Sequence, residues 1–522
     1  MAITPQSNVK LLKVPLQINN KNQLTFSNAT AQYNYFNSLP SIEIDECSYQ
    51  RKDNIIRFSG HIDELLQFNY CMYQNENYSN KWFYAYITNM TYENNGTTFI
   101  EIKTDVFQTW QFDLIFRKCF VEREHANNDA IGSNIVDEAL NVGEYINSAN
   151  PVEIDSLNDL ENYYICMGVS ELPDESIPPN NKNRIYNGVF GGLYYLAFNT
   201  PQDCQTAIKM YDFQGKGEAI YTLFMLPKNF IVEALATFAT WTIASIGTCK
   251  VIYIDKSSGS EVLGGMEFSL QNHVGKNYVP KNNKLFTYPF NFVNITNNSG
   301  TTIPFKFEDF KNNKMSFALY GAITPGISMK LVPLSHKNIN VDYNSGIMAG
   351  KLPICSWNSD PYVNWLTQNA INIGLNVGET IGDIALNPKN ALSSVSSIGS
   401  VVNSIYQADI VPMQSKGNLN AGDINFSNEK AGFTGYYTSI RDEYAKIIDD
   451  YFSMYGYKTN ELKVPNITGR LNWNFVKTIE CNFTGNIPQM DLQEIKDMFD
   501  DGVTLWHNPN TFLDYSQTNN IV

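Results

Sequence analysis

Residues 82–103 read WFYAYITNMTYENNGTTFIEIK. Two runs of aromatic and β-branched residues, WFYAYITNMTY and TTFIEIK, flank Asn94-Asn95-Gly96. Such runs suit a pleated, half-buried surface, and an Asn-Gly turn suited to positive φ joins them as a hairpin. The whole chain shares this texture. Of its 522 residues 13% are aromatic, with 31 Tyr and 31 Phe, and only 17% are charged. That composition excludes a disordered chain, which would have few aromatics and many charges, and it predicts a mainly β, α+β protein large enough for several domains.

Working outward, VKLLKVPLQI and NQLTF predict a hairpin-like start, and 41–46 and 54–59 predict further strands. Residues 106–124 are bulky and apolar and end in Glu122, Arg123, Glu124 and His125. Residues 1–125 therefore form one β domain, a meander or small barrel. From 126 to 353 a second β-rich region follows. Its loops are rich in Asn, Asp and Pro, its strands fall at 192–198, 219–226, 285–294, 303–310, 315–324 and 327–332, and 202–211 is a short helix. Residues 230–246 fit helix or strand equally. In the return segment, 426–522, Ser439 with Asp442 predicts a capped helix over 439–455, and 470–483 a long strand. A shorter helix over 491–499 is capped by Asp491.

One segment departs from this texture. Residues 363–411 read VNWLTQNAINIGLNVGETIGDIALNPKNALSSVSSIGSVVNSIYQADIV. From Trp365 onward, Leu366, Ile373, Val377, Ile381 and Ile384 recur at helical spacing. Gly374, Gly378 and Gly382 make a stripe that lets another backbone come close. Asn387-Pro388 breaks the pattern, and Leu392, Val395, Ile398, Val402 and Ile405 start a second apolar face. The stretch predicts two helices within an apolar loop spanning 354–425. Alternatives are a helical hairpin in an ordinary core or a serine-rich linker around 393–404. Helices of about 33 and 28 Å match a hydrocarbon layer of about 30 Å. Glu379 and Asp383 oppose insertion, at roughly 2.5–3.5 kcal/mol per ionised carboxylate near the bilayer centre. They make any membrane activity pH-sensitive.

The net charge of -15 excludes a basic, nucleic-acid-gripping surface. None of the eight cysteines lies within four residues of another, which predicts buried thiols in a reducing compartment and no C-x-x-C pair. The first residues, MAITPQSNVK, contain no apolar h-region, so no signal peptide is expected. No run of 18 apolar residues predicts a permanent transmembrane helix. His61, His125, His273, His336 and His507 are scattered without metalloprotease spacing. No nucleophile elbow or phosphate loop is present, so no enzyme, cofactor or metal is expected. The Asp449-Asp450 and Asp500-Asp501 pairs are expected to be solvated helix ends.

Several motifs carry a resemblance. They are Trp82-Phe83-Tyr84-Ala85, Gly96-Thr97-Thr98, Asp105-Val106-Phe107-Gln108-Thr109-Trp110 and Arg123-Glu124-His125, then Tyr288-Pro289-Phe290 and Gln407-Ala408-Asp409-Ile410. The most specific are Asp491-Leu492-Gln493-Glu494-Ile495 and Asp501-Gly502-Val503-Thr504-Leu505-Trp506-His507. In this order, over nearly the whole chain, they resemble the tail knob proteins of phi29-like short-tailed phages. The resemblance implies β-barrel tube domains plus a β-rich knob region, and a homo-hexamer at the distal end of the virion tail, assembled in the host cytoplasm. Other phage tail proteins and, on ejection, the host membrane are its implied partners. Its apolar loop, about 363–411, would plug the lumen and then leave it. DNA would pass through that lumen without specific binding, past a hexamer of formal charge 6 × -15 = -90. A receptor-binding tail adhesin or a cell-wall-degrading tail protein is the alternative, and a pore-forming toxin also fits a hidden amphipathic stretch.

Overall fold

The computed structural model describes residues 7–44, 49–50, 54–75, 81–154, 163–173, 185–186, 189–190, 193–228, 236–254, 262–270, 278–298, 300–320, 328–337, 347–351, 354–359, 415–417 and 432–522. The fold is mainly β, with a few helices. The chain forms two compact units, one of 1–143, 278–285 and 442–522, the other of 144–277 and 286–441. Its two ends therefore fold together, and the chain passes between units four times.

The first unit is built on a seven-stranded sheet. Its order is Ser41–Ile44, Ser7–Leu12, Tyr70–Asn75, Trp82–Asn94, Thr97–Thr104, Ile55–Phe58, Tyr49–Gln50. Successive side chains of a strand point to opposite faces, and both faces of this sheet are covered. Val9, Leu11, Cys71, Tyr73, Phe83 and Ala85 enter one core. Leu12, Tyr70, Met72, Tyr84 and Tyr86 enter another. The hairpin read from 82–103 is present, but neither Asn95 nor Gly96 has positive φ. The Asn94 side chain closes the turn instead, accepting from the Gly96 N–H at 2.9 Å.

A five-stranded sheet joins both ends of the chain, in the order Asn22–Leu24, Val503–Trp506, Trp473–Ile479, Cys119–Glu124, Tyr457–Lys463. The two runs expected as a starting hairpin do not pair, since Ser7–Leu12 and Asn22–Leu24 lie in different sheets, and a helix at Ala29–Asn37, capped by Asn28, follows them. The 439–455 helix starts instead at Asp442, because Ser439 is a buried ladder residue of strand Thr434–Ile440. The last helix is Gln489–Asp501, and Asp491 does not cap it. Its carboxylate accepts from the Trp110 indole at 2.8 Å.

The second unit has a seven-stranded sheet ordered Ala236–Ile243, Gly247–Ile254, Tyr194–Phe198, Tyr163–Val169, Ile220–Pro227, Ile354–Ser359, Ser415–Gly417. The undecided 230–246 stretch thus supplies an edge strand. Helix Pro201–Phe213, capped by Thr200, covers one face of this sheet. The other face shares a core with Val293, Ile295, Phe305 and Phe317 from two smaller sheets. Of the residues 285–294 read as a strand, the first two end the 3-10 turn Asn283–Phe286 and only 291–294 are strand, as part of Asn291–Thr296.

Candidate functional site

The plug residues picked from the sequence, Trp365 to Ile405, and the carboxylates Glu379 and Asp383 lie outside the described residues. The structure does place the two ends of their segment. Strand Ile354–Ser359 leads into it and strand Ser415–Gly417 leads out. These strands are antiparallel neighbours, with Trp357 opposite Gly417 and Ser359 opposite Ser415. Residues 360–414 are therefore an insertion in a β-hairpin. Loop closure grows only slowly with loop length, so a long excursion between two paired strands is tolerated.

The most elaborate polar cluster lies in the first unit, around Arg123-Glu124-His125 at the end of strand Cys119–Glu124. It pins residues 278–285, the short return from the second unit's chain, to helix Asp442–Tyr455 and strand Tyr457–Lys463. Asp449, fully buried, is the centre. Its carboxylate accepts from the Tyr278 hydroxyl at 2.5 Å, the Lys281 N–H at 2.7 Å, the Asn282 N–H at 3.0 Å and the Asn282 amide at 2.7 Å. Asn282 also donates to Ser453 Oγ at 2.8 Å. Asp129 accepts from the Tyr457 hydroxyl at 2.5 Å and the Asn283 N–H at 3.1 Å. Helix Asp442–Tyr455 ends at Gly456, whose φ of +65° a non-glycine residue rarely adopts. A Cβ there would stand 2.1 Å from the Glu124 carbonyl oxygen.

Glu138 forms a second centre. It pairs with Arg123 and with Lys284, at 2.8 Å, and accepts from the Lys458 N–H at 2.8 Å. Burial alone would raise its pKa, but these partners outweigh burial and hold it below the ordinary carboxylate value. His125 Nδ1 accepts from the Phe475 N–H at 2.8 Å, and Nε2 lies 3.1 Å from the Ser453 carbonyl oxygen. That pairing needs the neutral ring with its proton on Nε2. Burial, with the nearby Arg470 and Arg123 charges, pushes its pKa down to about 3. His507, bridging Thr25 and Asn474, is lowered by burial to about 4. Asp105 caps the helix at Val106–Trp110 and accepts from Tyr70 at 3.0 Å, and burial raises it to about 6.

These polar groups bind backbone or one another across segments that are distant in the chain, and the arrangement pins those segments together. Among the described residues no group of His, Cys, Asp and Glu could hold a metal ion. No described helix is long and apolar enough to cross a membrane. The six cysteines whose side chains are described are buried free thiols.

Sequence reading singled out Arg123-Glu124-His125 but missed Glu138, which lies 15 residues from Arg123, and Asn282 and Lys284, whose partners Asp449 and Glu138 are 167 and 146 residues away. It also misjudged the acid pairs. Asp449 is buried and Asp450 is half-buried and pairs with Lys281 at 3.4 Å, while Asp500 accepts from Thr478 at 2.6 Å and Asp501 is exposed. The helix geometry splits each pair, since adjacent residues do not face the same way.

Residues 258–520 match the family model of the C-terminal domain of tail knob protein gp9 from Bacillus phage phi29. Residues 5–115 match the N-terminus of a caudoviral major tail protein. The chain is 27% identical to tail knob protein gp9 of Bacillus phage B103, over 97% of each chain. It is 27% identical to that of Bacillus phage phi29, over 98% of each. The solved tail knob protein gp12 of bacteriophage C1 shares the fold, with TM-score 0.63, 15% identity and coverage of 99% of this chain and 100% of that one.

Proposed function

Because this chain belongs to the phi29 tail knob family, as a structural component of the virion tail and not an enzyme, we propose that its copies assemble as a homo-hexameric conduit for genome ejection. In this reading the β-rich units form the tube wall and knob, in contact with other tail proteins. The loops around 363–411 close the lumen, then leave it to help penetrate the host membrane. Trp365, Leu366 and the apolar faces through Ile405 would carry the closure, and the Gly374, Gly378 and Gly382 stripe would allow tight packing about the axis. Glu379 and Asp383 would hold the loop out of a membrane until protonated. DNA would pass without specific binding, because the chain is acidic. Assembly would take place in the host cytoplasm.

One observation supports the loop's role most. The segment begins and ends on the paired strands Ile354–Ser359 and Ser415–Gly417. It can therefore be displaced without breaking another strand pairing among the described residues. Dye leakage from phosphatidylethanolamine–phosphatidylglycerol vesicles tests this, using the full chain and a variant lacking 363–411. Leakage stronger at pH 5 than at pH 7.5, and lost in the variant, is expected. Equal or no leakage at both values would remove the membrane step.

A further inference from the structure

We propose that the outer face of the sheet containing Tyr145, Asn147, Asn294 and Thr438 in the second unit binds a neutral polysaccharide. Strand Tyr145–Asn147 pairs with Thr434–Ile440, which pairs on its other side with Asn291–Thr296. The registers put six residues, Tyr145, Asn147, Thr438, Tyr436, Phe292 and Asn294, on one face, where Tyr145 and Asn147 are exposed, Tyr436 and Asn294 half-buried, and Thr438, Phe292 and the adjoining Ile440 buried beneath them. The opposite face sends Val293 and Ile295 into the core.

Three features of this face suit a sugar. The first is a fixed hydrogen-bond relay. The Asn294 amide donates to Thr438 Oγ1 at 3.1 Å, and Thr438 donates to Asn147 Oδ1 at 2.7 Å. The relay orients both amides, yet among the described residues the Asn147 N–H groups and the Asn294 carbonyl oxygen have no partner. A donor and an acceptor on strands two spacings apart, about 10 Å, suit hydroxyls on successive sugar units of a chain. The second is a held aromatic ring. Tyr145 is 45% exposed and packs edge-on to Phe292 at 5.4 Å, which packs likewise on Tyr288. A ring so fixed presents apolar area to the C–H face of a pyranose at little entropic cost. The third is neutrality. These six residues carry no charge in a chain of net charge -15, and the neighbouring Glu144 and Arg441 pair with each other at 3.0 Å. A neutral patch matches an uncharged polyol, not DNA, an anionic lipid or a charged protein partner.

Saturation-transfer NMR and calorimetry on the full chain test this, with a β-1,4-linked N-acetylglucosamine tetrasaccharide and dextran as probes. Binding of at least one probe is expected, weakened about tenfold or more by Tyr145→Ala and by Asn147→Leu, the equivalent of one lost hydrogen bond or stacked ring. Circular dichroism checks that both variants fold, and Asn147→Gln, which keeps the amide, should retain part of the binding. Three results would each overturn the proposal: neither probe binding, binding indifferent to these substitutions, or variants that lose binding only because copies of the chain dissociate. The last result would reassign the face to contacts between copies.

Discussion

Ser359 and Ser415 stand opposite each other on neighbouring antiparallel strands, although the whole apolar segment of the chain lies between them. The hairpin they close belongs to a sheet whose other pairings do not involve the insertion. The pairing of these two strands depends only weakly on the length of the chain between them.

The first prediction follows directly. Replacing 363–411 by a short Gly-Ser linker leaves the fold intact, since shortening a loop changes closure entropy by about 1 kcal/mol. Thermal melts of the variant and the parent chain should differ by a few degrees at most. A collapse of cooperative unfolding would show that the segment is part of the core.

Asp449 carries the strongest stability prediction. Asp449→Ala leaves the Tyr278 hydroxyl and the Lys281 and Asn282 backbone N–H groups without their acceptor, while the Asn282 amide keeps only Ser453 Oγ and the residue 449 carbonyl oxygen. The expected cost is about 3 kcal/mol or more by denaturant unfolding. The half-buried neighbour provides the control, since Asp450→Ala removes only a solvent-facing pair with Lys281 and should cost about 1 kcal/mol or less. Equal effects at the two positions would contradict the pinning role.

Stability should also depend on pH through two buried groups of opposite sign. His125 titrates at about 3, against 6.5 for the free side chain. Its contribution is complete above 6.5 and is lost as the pH falls, by about 2 kcal/mol between pH 7 and 5. Asp105 titrates at about 6, against 3.8. Its contribution is complete below 3.8 and is lost as the pH rises through about 6. Unfolding at pH 5, 6 and 7 should therefore show a shallower acid loss for His125→Gln and a steeper one for Asp105→Asn. Reversed slopes would refute these assignments.

Much of the β architecture was legible in the sequence because local patterns suffice for it. The 82–103 hairpin shows in its two runs of aromatic and β-branched residues and its Asn-Gly pair. The helix at Ala29–Asn37 does not, because its Thr, Tyr, Asn and Phe residues are weak helix formers, and only the Asn28 cap marks it. Ser439 was read as a cap because a serine three residues before an acid looks the same within a strand. The Asp449–Asn282 pinning was invisible, since its partners are 167 residues apart in the chain and no local signal joins them. The apolar loop is the reverse case: its sequence is distinctive, while the structure supplies only its two anchored ends.

The most direct test of the conduit is electron microscopy of the purified full-length chain in negative stain. Six-fold rings with a central channel, each about six times the 59.2 kDa chain mass, are expected. A field of single 59.2 kDa particles, or rings of another symmetry, would contradict the hexameric tube.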